Sequence, residues 1–503
     1  MKRWGSILQV FRATHRISAV LIAVSVATWA QIGPTSAPAP ATPSTTEQIS
    51  RASASSISMP AQISTSESSA QAPFSGSVVT EKATDQMITI SLKDAINRGL
   101  KANLGALLTE QGITSARAQR WRALQQMLPD VTGRLGESVQ EVNLAAMGFK
   151  FPGVPTIIGP FSNFDARAYL TASAGLSQYQ SIRAAVENLK AAQFSYQNAL
   201  ELVVFSVSNS YLQVLTAAAN VVNAQAQVQT AQAIVNQAEQ MHQAGVTAKI
   251  DGLRAAVELQ ARKQDLIVQQ NNLDKSKIAL ARAIGLPLDQ KYELSDTLQF
   301  IAAPTMTEEE AVHQAYQSRL DYRQAQAQVR AAESSQRAAH FERLPSLSFT
   351  GNFGDIGISP GTSHGTFVAA GAVQFPIFEE GRIRGDIDQA SAELKQNKDR
   401  LSDLQAHIDA DIRTAFLDIN AAAQQVQVAD ATVKLAQEEL SEARERFSAG
   451  VTDNLEVVQA EGSLVSAQNQ YVASLYIHNL AKLSLARALG EARQNAATYL
   501  GGK

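Results

Sequence analysis

Two stretches of the chain, 176–244 and 386–449, run without a single Gly or Pro, and each is long enough for one helix of more than sixty residues, about 95–100 Å at 1.5 Å per residue. In the first, Leu200, Val207, Val214, Val221, Val228 and Val235 recur every seven positions, and Val203, Ser210, Ala217, Ala224, Ala231 and Ala238 recur three later. This is a coiled-coil seam whose small residues let helices approach closely. Gln, Asn and Ser occupy the remaining faces, so the helix belongs in a water-bathed bundle or tube. Four shorter helices are expected near 91–127, 253–284, 307–343 and 463–489. Two of them, end to end, match one long helix.

Elsewhere the period changes to two. In "SLSFTGNF" (346–353), Leu347, Phe349, Gly351 and Phe353 oppose Ser346, Ser348, Thr350 and Asn352. In "ARAYLTASAGLS" (166–177), Ala166, Ala168, Leu170, Ala172, Ala174 and Leu176 oppose Arg167, Tyr169, Thr171 and Ser173. Weaker strands near 131–143 and 366–377 complete two hairpins, and the Pro- and Gly-containing "GFKFPGVPTIIGPFSN" (148–163) reads as an enlarged loop. Two readings are open for these strands: soluble hairpins packed on a core, or membrane strands with one lipid-facing side. Four strands cannot close a barrel, and open edges are not tolerated in lipid, so the second reading requires several chains to share one barrel.

The pattern occurs twice. "KIALARAIG" (277–285) returns as "KLSLARALG" (482–490), and each closes a segment opened by Ala-Gly-Val-Thr: Gly245 to Gly285 and Gly450 to Gly490 both span 40 residues. Leu128-Pro129 likewise matches Leu344-Pro345. The chain thus reads as two internal repeats, 86–300 and 301–497, each a helix, a β-hairpin, a long helix and a short helix.

The N-terminus carries Lys2, Arg3, Arg12 and Arg16 before the apolar run "ISAVLIAVSVATWA" (17–30), the form of an export signal peptide over 1–30. A retained membrane anchor is the competing reading, for which the run is short, since a span needs about 20 residues. Residues 31–85, rich in Ala, Ser, Thr and Pro, read as a flexible leader. There is no cysteine, which excludes disulfides, thiolate metal sites and a lipid-modified cysteine. A net charge of −3 gives no sign of nucleic-acid binding. The seven histidines fall in no metal-binding spacing, and no phosphate loop or catalytic triad signature is present, so neither enzyme activity nor a cofactor is expected.

The duplicated Ala-Gly-Val-Thr to Leu-Ala-Arg-Ala-[Ile/Leu]-Gly unit, together with "FPIFEEGRIR" (375–384), resembles the TolC-like outer-membrane efflux family over residues 86–497. Two places depart from the family pattern: "LSQYQSIR" (176–183) lacks the Pro and Phe, and Arg319-Leu320-Asp321-Tyr322 stands where the family often has Arg-Pro-Asp-Leu. The resemblance implies a mostly α protein with a transmembrane β-barrel portion, four strands per subunit in a homotrimer, and coiled-coil helices forming a periplasmic tube. It implies a passive exit duct in the outer membrane, in contact with its lipid and coupled to an inner-membrane transporter through a periplasmic adaptor protein. The turns at Gly245, Val246 and Thr247 and at Gly450, Val451 and Thr452 would then meet the adaptor, although glycines that simply end helices explain the same residues. Glu456, six residues after Gly450, matches a family Asp at the narrow periplasmic entrance, with Asp453 beside it. Asp251 holds the corresponding place in the first repeat, facing inward or outward, and the family's further Asp is here Gln459. Stabilisation of a helix N-terminus is the competing role for these carboxylates. The competing function is a non-channel coiled-coil structural or adhesive surface protein, which leaves the amphipathic hairpins unexplained.

Overall fold

The computed structural model describes residues 74–79, 82–149, 152–246, 248–452 and 454–501, so the expected signal peptide and most of the expected leader lie outside the described residues. The chain runs β1 (Ile88–Ile90), α1 (Leu92–Ala102), α2 (Leu104–Gln125), β2 (Asp130–Asn143), β3 (Ile157–Ala174), α3 (Leu176–Gln243) and α4 (Lys249–Ile284). It continues with β4 (Tyr292–Leu294), α5 (Glu308–Ser318), α6 (Leu320–Phe341), β5 (Ser346–Gly357), β6 (His364–Gln374), α7 (Glu380–Ser448), α8 (Asn454–Ala488) and α9 (Ala492–Tyr499). The described residues are mostly helical.

The two long helices are present at 68 and 69 residues, about 100 Å each. Along α3 the seam is buried as its period demands: Val203, Val207, Val214, Ala224, Ala231 and Ala238 are all enclosed. By length and composition α3 could cross a membrane, but half of its most apolar window is buried inside the protein. It packs against α2, α4, α6 and α8, which accounts for that apolar character.

Three features depart from the sequence reading of the helices. The expected single helices 91–127 and 307–343 are each broken, at Asn103 (φ −65°, ψ 128°) and Arg319 (φ −61°, ψ 121°). Asn103 leaves the helix because its Oδ1 accepts the Gly105 N–H at 2.9 Å, starting α2 afresh, while its Nδ2 donates to the Phe74 carbonyl at 2.5 Å. Second, α4 and α8 start earlier than expected and carry Gly252 and Gly462 inside them, each with nothing near its missing Cβ. A glycine costs about 1 kcal/mol in a helix interior, which a helix of 35 or 36 packed residues outweighs. Third, α7 begins at Glu380, ahead of Gly381 and Gly385, where Arg382 ties Glu342, Glu379 and Asp386 together.

The end of the segment read as a flexible leader is docked instead. Phe74 is buried in the main apolar core, Val78 N–H donates to the Ala102 carbonyl at 2.8 Å, and Thr84 binds Gln290. That core also holds α9 and a two-stranded parallel sheet, β1 with β4, neither legible in the sequence.

The four remaining strands form one antiparallel sheet in the order β2-β3-β5-β6. Its register continues one apolar face across all four strands, while the other face is polar on β2, β3 and most of β5 but not on β6. Gly133, Ala168, Phe353 and Phe367 form one row, and Val131, Leu170, Gly351 and Ala369 the next on that face. The opposite face carries Thr132, Tyr169, Asn352 and Val368, then Asp130, Thr171, Thr350 and Ala370. The apolar face is uncovered: Leu135, Phe353 and Phe367 are 77%, 73% and 76% exposed. β3 is longer than expected, starting at Ile157 inside the segment read as a loop. Pro160, which has no N–H to donate, fits there because it lies opposite the register shift between Gln140 and Val142, beyond the reach of β5.

Candidate functional site at the helical tips

α3 leaves the sheet at one end and reaches its turn about 100 Å away, and α7 does the same. Both turns have the same build. At the end of α3, Gly245 (φ +73°) sends its N–H to the His242 carbonyl and Val246 donates to Met241; at the end of α7, Gly450 (φ +72°) donates to Phe447 and Val451 to Arg446. These paired bonds are the Schellman arrangement, and the left-handed glycine makes them possible. The two turns are neighbours: a Cβ on Gly450 would lie 3.9 Å from Val246 Cγ1. Below them Ile234 and Ala238 of α3, Ala255 of α4, Leu440, Ala443 and Phe447 of α7, and Val457 and Ala460 of α8 make one apolar core. Val246 and Val451 stay exposed at the very end.

Of the expected acidic residues, Asp453 lies outside the described residues, as does Thr247 in the first turn. Glu456 sits in the first turn of α8 with its carboxylate partly exposed and paired to Arg446 Nη1 of α7 at 3.0 Å. Asp251 sits in the first turn of α4 and is buried, 3.6 Å from Arg254 Nη1. Both carboxylates are thus placed to stabilise a helix N-terminus, whatever further role they have. Thr452, in the second turn, is half-buried.

Sequence reasoning did not single out Asn454. It is fully buried, and its Nδ2 donates to the Asp251 carbonyl at 3.2 Å, tying the start of α8 to the start of α4. Only its place between two expected acidic residues could have drawn attention to it. Among the described residues no group of His, Asp and Glu is arranged to hold a metal ion.

The sequence profile of the outer membrane efflux protein family matches residues 106–286 and 311–491. Over 408 residues the chain is 25% identical to the pyoverdine export outer membrane protein OpmQ of Pseudomonas aeruginosa, covering 77% of this chain and 82% of that protein. It is 22% identical over 388 residues to the outer membrane protein TolC of Vibrio cholerae, covering 76% and 84% respectively. Among solved structures, the CmeC outer membrane channel of Campylobacter jejuni matches the fold with a TM-score of 0.71 at 18% identity, over 84% of this chain and 92% of that one. The open-state MtrE outer membrane channel of Neisseria gonorrhoeae matches with a TM-score of 0.68 at 18% identity, over 82% and 94%. Because the matched family segments take in the long helices, the sheet and both tips, this chain belongs to the outer membrane efflux protein family and is an efflux channel of the outer membrane.

Proposed function

We propose that three copies of the chain close a twelve-stranded transmembrane barrel, continued by a periplasmic tube of helices, and that this duct lets cargo diffuse outward without catalysing a reaction. The observation that carries the reading is the sheet itself. It has one uncovered apolar face, an opposite face that is mostly polar outside β6, and two free edges, at β2 and β6. A lone sheet of this kind would leave both edges unpaired in lipid, whereas edge-to-edge closure with neighbouring copies satisfies every ladder and turns the polar face to a wet lumen. Phe375, Ile377 and Phe378, all exposed at the joint between β6 and α7, suit the headgroup level of a membrane. The order helices, hairpin, long helix, shorter helix, which runs from α1 to α4 and again from α5 to α8, supports the two-repeat reading.

The energy for transport would come from an inner-membrane transporter, reached through a periplasmic adaptor protein that docks on the turns around Gly245, Val246 and Thr247 and around Gly450, Val451 and Thr452. Support comes from the adjacency of these turns and from the exposure of Val246 and Val451. Glu456, Asp453 and Asp251 are proposed to make the periplasmic entrance acidic, three-fold symmetry multiplying each charge into a ring that favours cations. The names of the relatives record pyoverdine, toluene and antibiotics as cargo, three unlike chemistries, which fits selection made upstream of the duct.

Mass measurement of the detergent-solubilised protein should give a trimer, and the trimer should conduct ions in a planar bilayer. A stable, fully helical monomer would overturn the shared barrel. Phe367→Arg should block trimer insertion while Thr350→Arg on the other face should not, since a lipid-facing cation costs about 2–4 kcal/mol at mid-membrane.

A further inference from the structure

Glu461 of α8 is 2% exposed, next to Ala460 in the apolar core of the tip, and neither of its carboxylate oxygens has a hydrogen-bond partner. A partnerless buried carboxylate is expensive, so its presence in a packed core calls for a reason. Its charged neighbours are Arg262 and Glu258 of α4 and Arg444 of α7. α3, which shares this core, carries no Asp, Glu, Lys, Arg or His between Glu201 and Glu239. Arg262 is engaged elsewhere: it pairs with Glu258, one turn back on its own helix, and with Asp265 at 3.4 Å, while its buried Nε has no partner. An unpartnered carboxylate on α8 and, on α4, a guanidinium with an unused donor thus share this core, and the guanidinium is held by another acid, Glu258.

We propose that Glu461 is a gating residue of the tip: when it loses its proton to solvent it takes Arg262 from Glu258, and this exchange of partners shifts α8 against α4 and loosens the packing of the tip. The carboxyl is placed for such a step. Burial raises it to about 7, with Glu258 adding to the rise and Arg262 and Arg444 opposing it. It is therefore neutral in the present packing at mildly acidic pH and charged above neutrality, where the same packing leaves a buried charge unpaired. The inference rests on the tip being the inner mouth of the channel.

The test records open probability of the whole trimer in planar bilayers between about pH 4.5 and about pH 8. Wild type should open more readily as pH rises from the ordinary glutamate range, about 4.3, towards about 7, with a slope of up to about tenfold per pH unit per proton, and should level off above that. Glu461→Gln should stay at the acidic level throughout, and Glu258→Gln, which removes the half-buried competitor for Arg262, should move the transition to lower pH. A wild-type pH dependence surviving in Glu461→Gln, or an unmoved transition in Glu258→Gln, overturns the assignment. If no variant conducts, the channel reading itself has failed. Amide hydrogen exchange of 454–465 in the detergent-solubilised protein then decides the switch alone: protection, corrected for intrinsic exchange, should fall from about pH 5 to about pH 7 in wild type and hold steady in Glu461→Gln, and equal behaviour of the two overturns it.

Discussion

"KIALARAIG" at the end of α4 and "KLSLARALG" at the end of α8 are nearly the same words in different surroundings. Both end on a left-handed glycine, Gly285 at φ +75° and Gly490 at φ +74°. Lys277 is half-buried and serves through its backbone, its carbonyl accepting the Tyr292 hydroxyl at 2.6 Å. Lys482 is fully buried, and its Nζ donates to the carbonyls of Ile301 at 2.9 Å and Tyr499 at 2.7 Å. Arg282 is exposed, whereas Arg487 is half-buried and donates to Asn198 Oδ1 at 3.1 Å. The difference comes from what covers each helix end. α4 ends under the β4 segment, while α8 is wrapped by the segment leading to α5 and by α9, whose start is held by Glu201 accepting the Arg493 N–H at 2.8 Å. A repeated phrase fixes where a helix stops; what its polar residues do depends on the chain that crosses them.

The same contrast is sharpest at the two helix breaks, 216 positions apart, and there the largest effect is expected. Arg319 is nearly buried and binds Asp321 through two bonds of 3.1 and 2.8 Å and Asp411 through a third of 2.9 Å. Arg319→Ala leaves two carboxylates without their cation and should destabilise by about 3–5 kcal/mol. Asn103→Ala removes one helix cap and one bond to Phe74, for a loss of about 1–2 kcal/mol. Denaturant midpoints of the solubilised protein, followed by helical circular dichroism, check the order; equal losses would mean that the two breaks are held in the same way.

Next in size are the paired lysines. Lys482→Met strands two buried carbonyls and should cost about 1–3 kcal/mol. Lys277→Met should fall within about 0.5 kcal/mol of wild type. A pH signature separates the two further, because burial pushes the Lys482 ammonium down to about 8. An unfolded lysine keeps its proton to above pH 10, so between pH 8 and 10 the unfolded state binds more protons and stability rises with pH, by at most about 1.4 kcal/mol per unit. The gap between wild type and Lys482→Met should therefore widen over that range. A constant gap would place the ammonium in a better-solvated position than its burial implies.

The parts of the fold that could be read in the sequence are those set by local periodicity. Seven-residue spacing located α3, alternation located β5 and the second half of β3, and glycines located both tips. What stayed hidden depends on distant partners. β1 and β4 have three residues each, too few to show a period, and become a sheet only because the core brings them together. α9 has mostly small and polar residues and is fastened by Glu201, almost three hundred positions earlier. The tip itself was half legible: its turns follow from Gly-Val-Thr, whereas Asn454 and Glu461 look like ordinary surface residues until α4 is laid beside α8.

The smallest expected effect concerns the tip glycines, and it tests whether the two turns are as alike as their bonds suggest. Gly245 and Gly450 both have φ near +70°, and a Cβ would meet nothing within 4 Å at Gly245 and only Val246 at 3.9 Å at Gly450. Space is therefore no obstacle, and Ala at either place loses only the left-handed backbone preference, about 1 kcal/mol. Gly285 sets the upper reference, since a Cβ there would lie 2.4 Å from Ala102 Cβ, so Gly285→Ala adds a steric clash to the same backbone term. Thermal midpoints should place Gly245→Ala and Gly450→Ala together, a little below wild type, with Gly285→Ala clearly lower. If Gly450→Ala alone falls to the level of Gly285→Ala, the second turn is packed against a neighbouring copy in the assembled protein, and the symmetry between the two tips ends at the protomer.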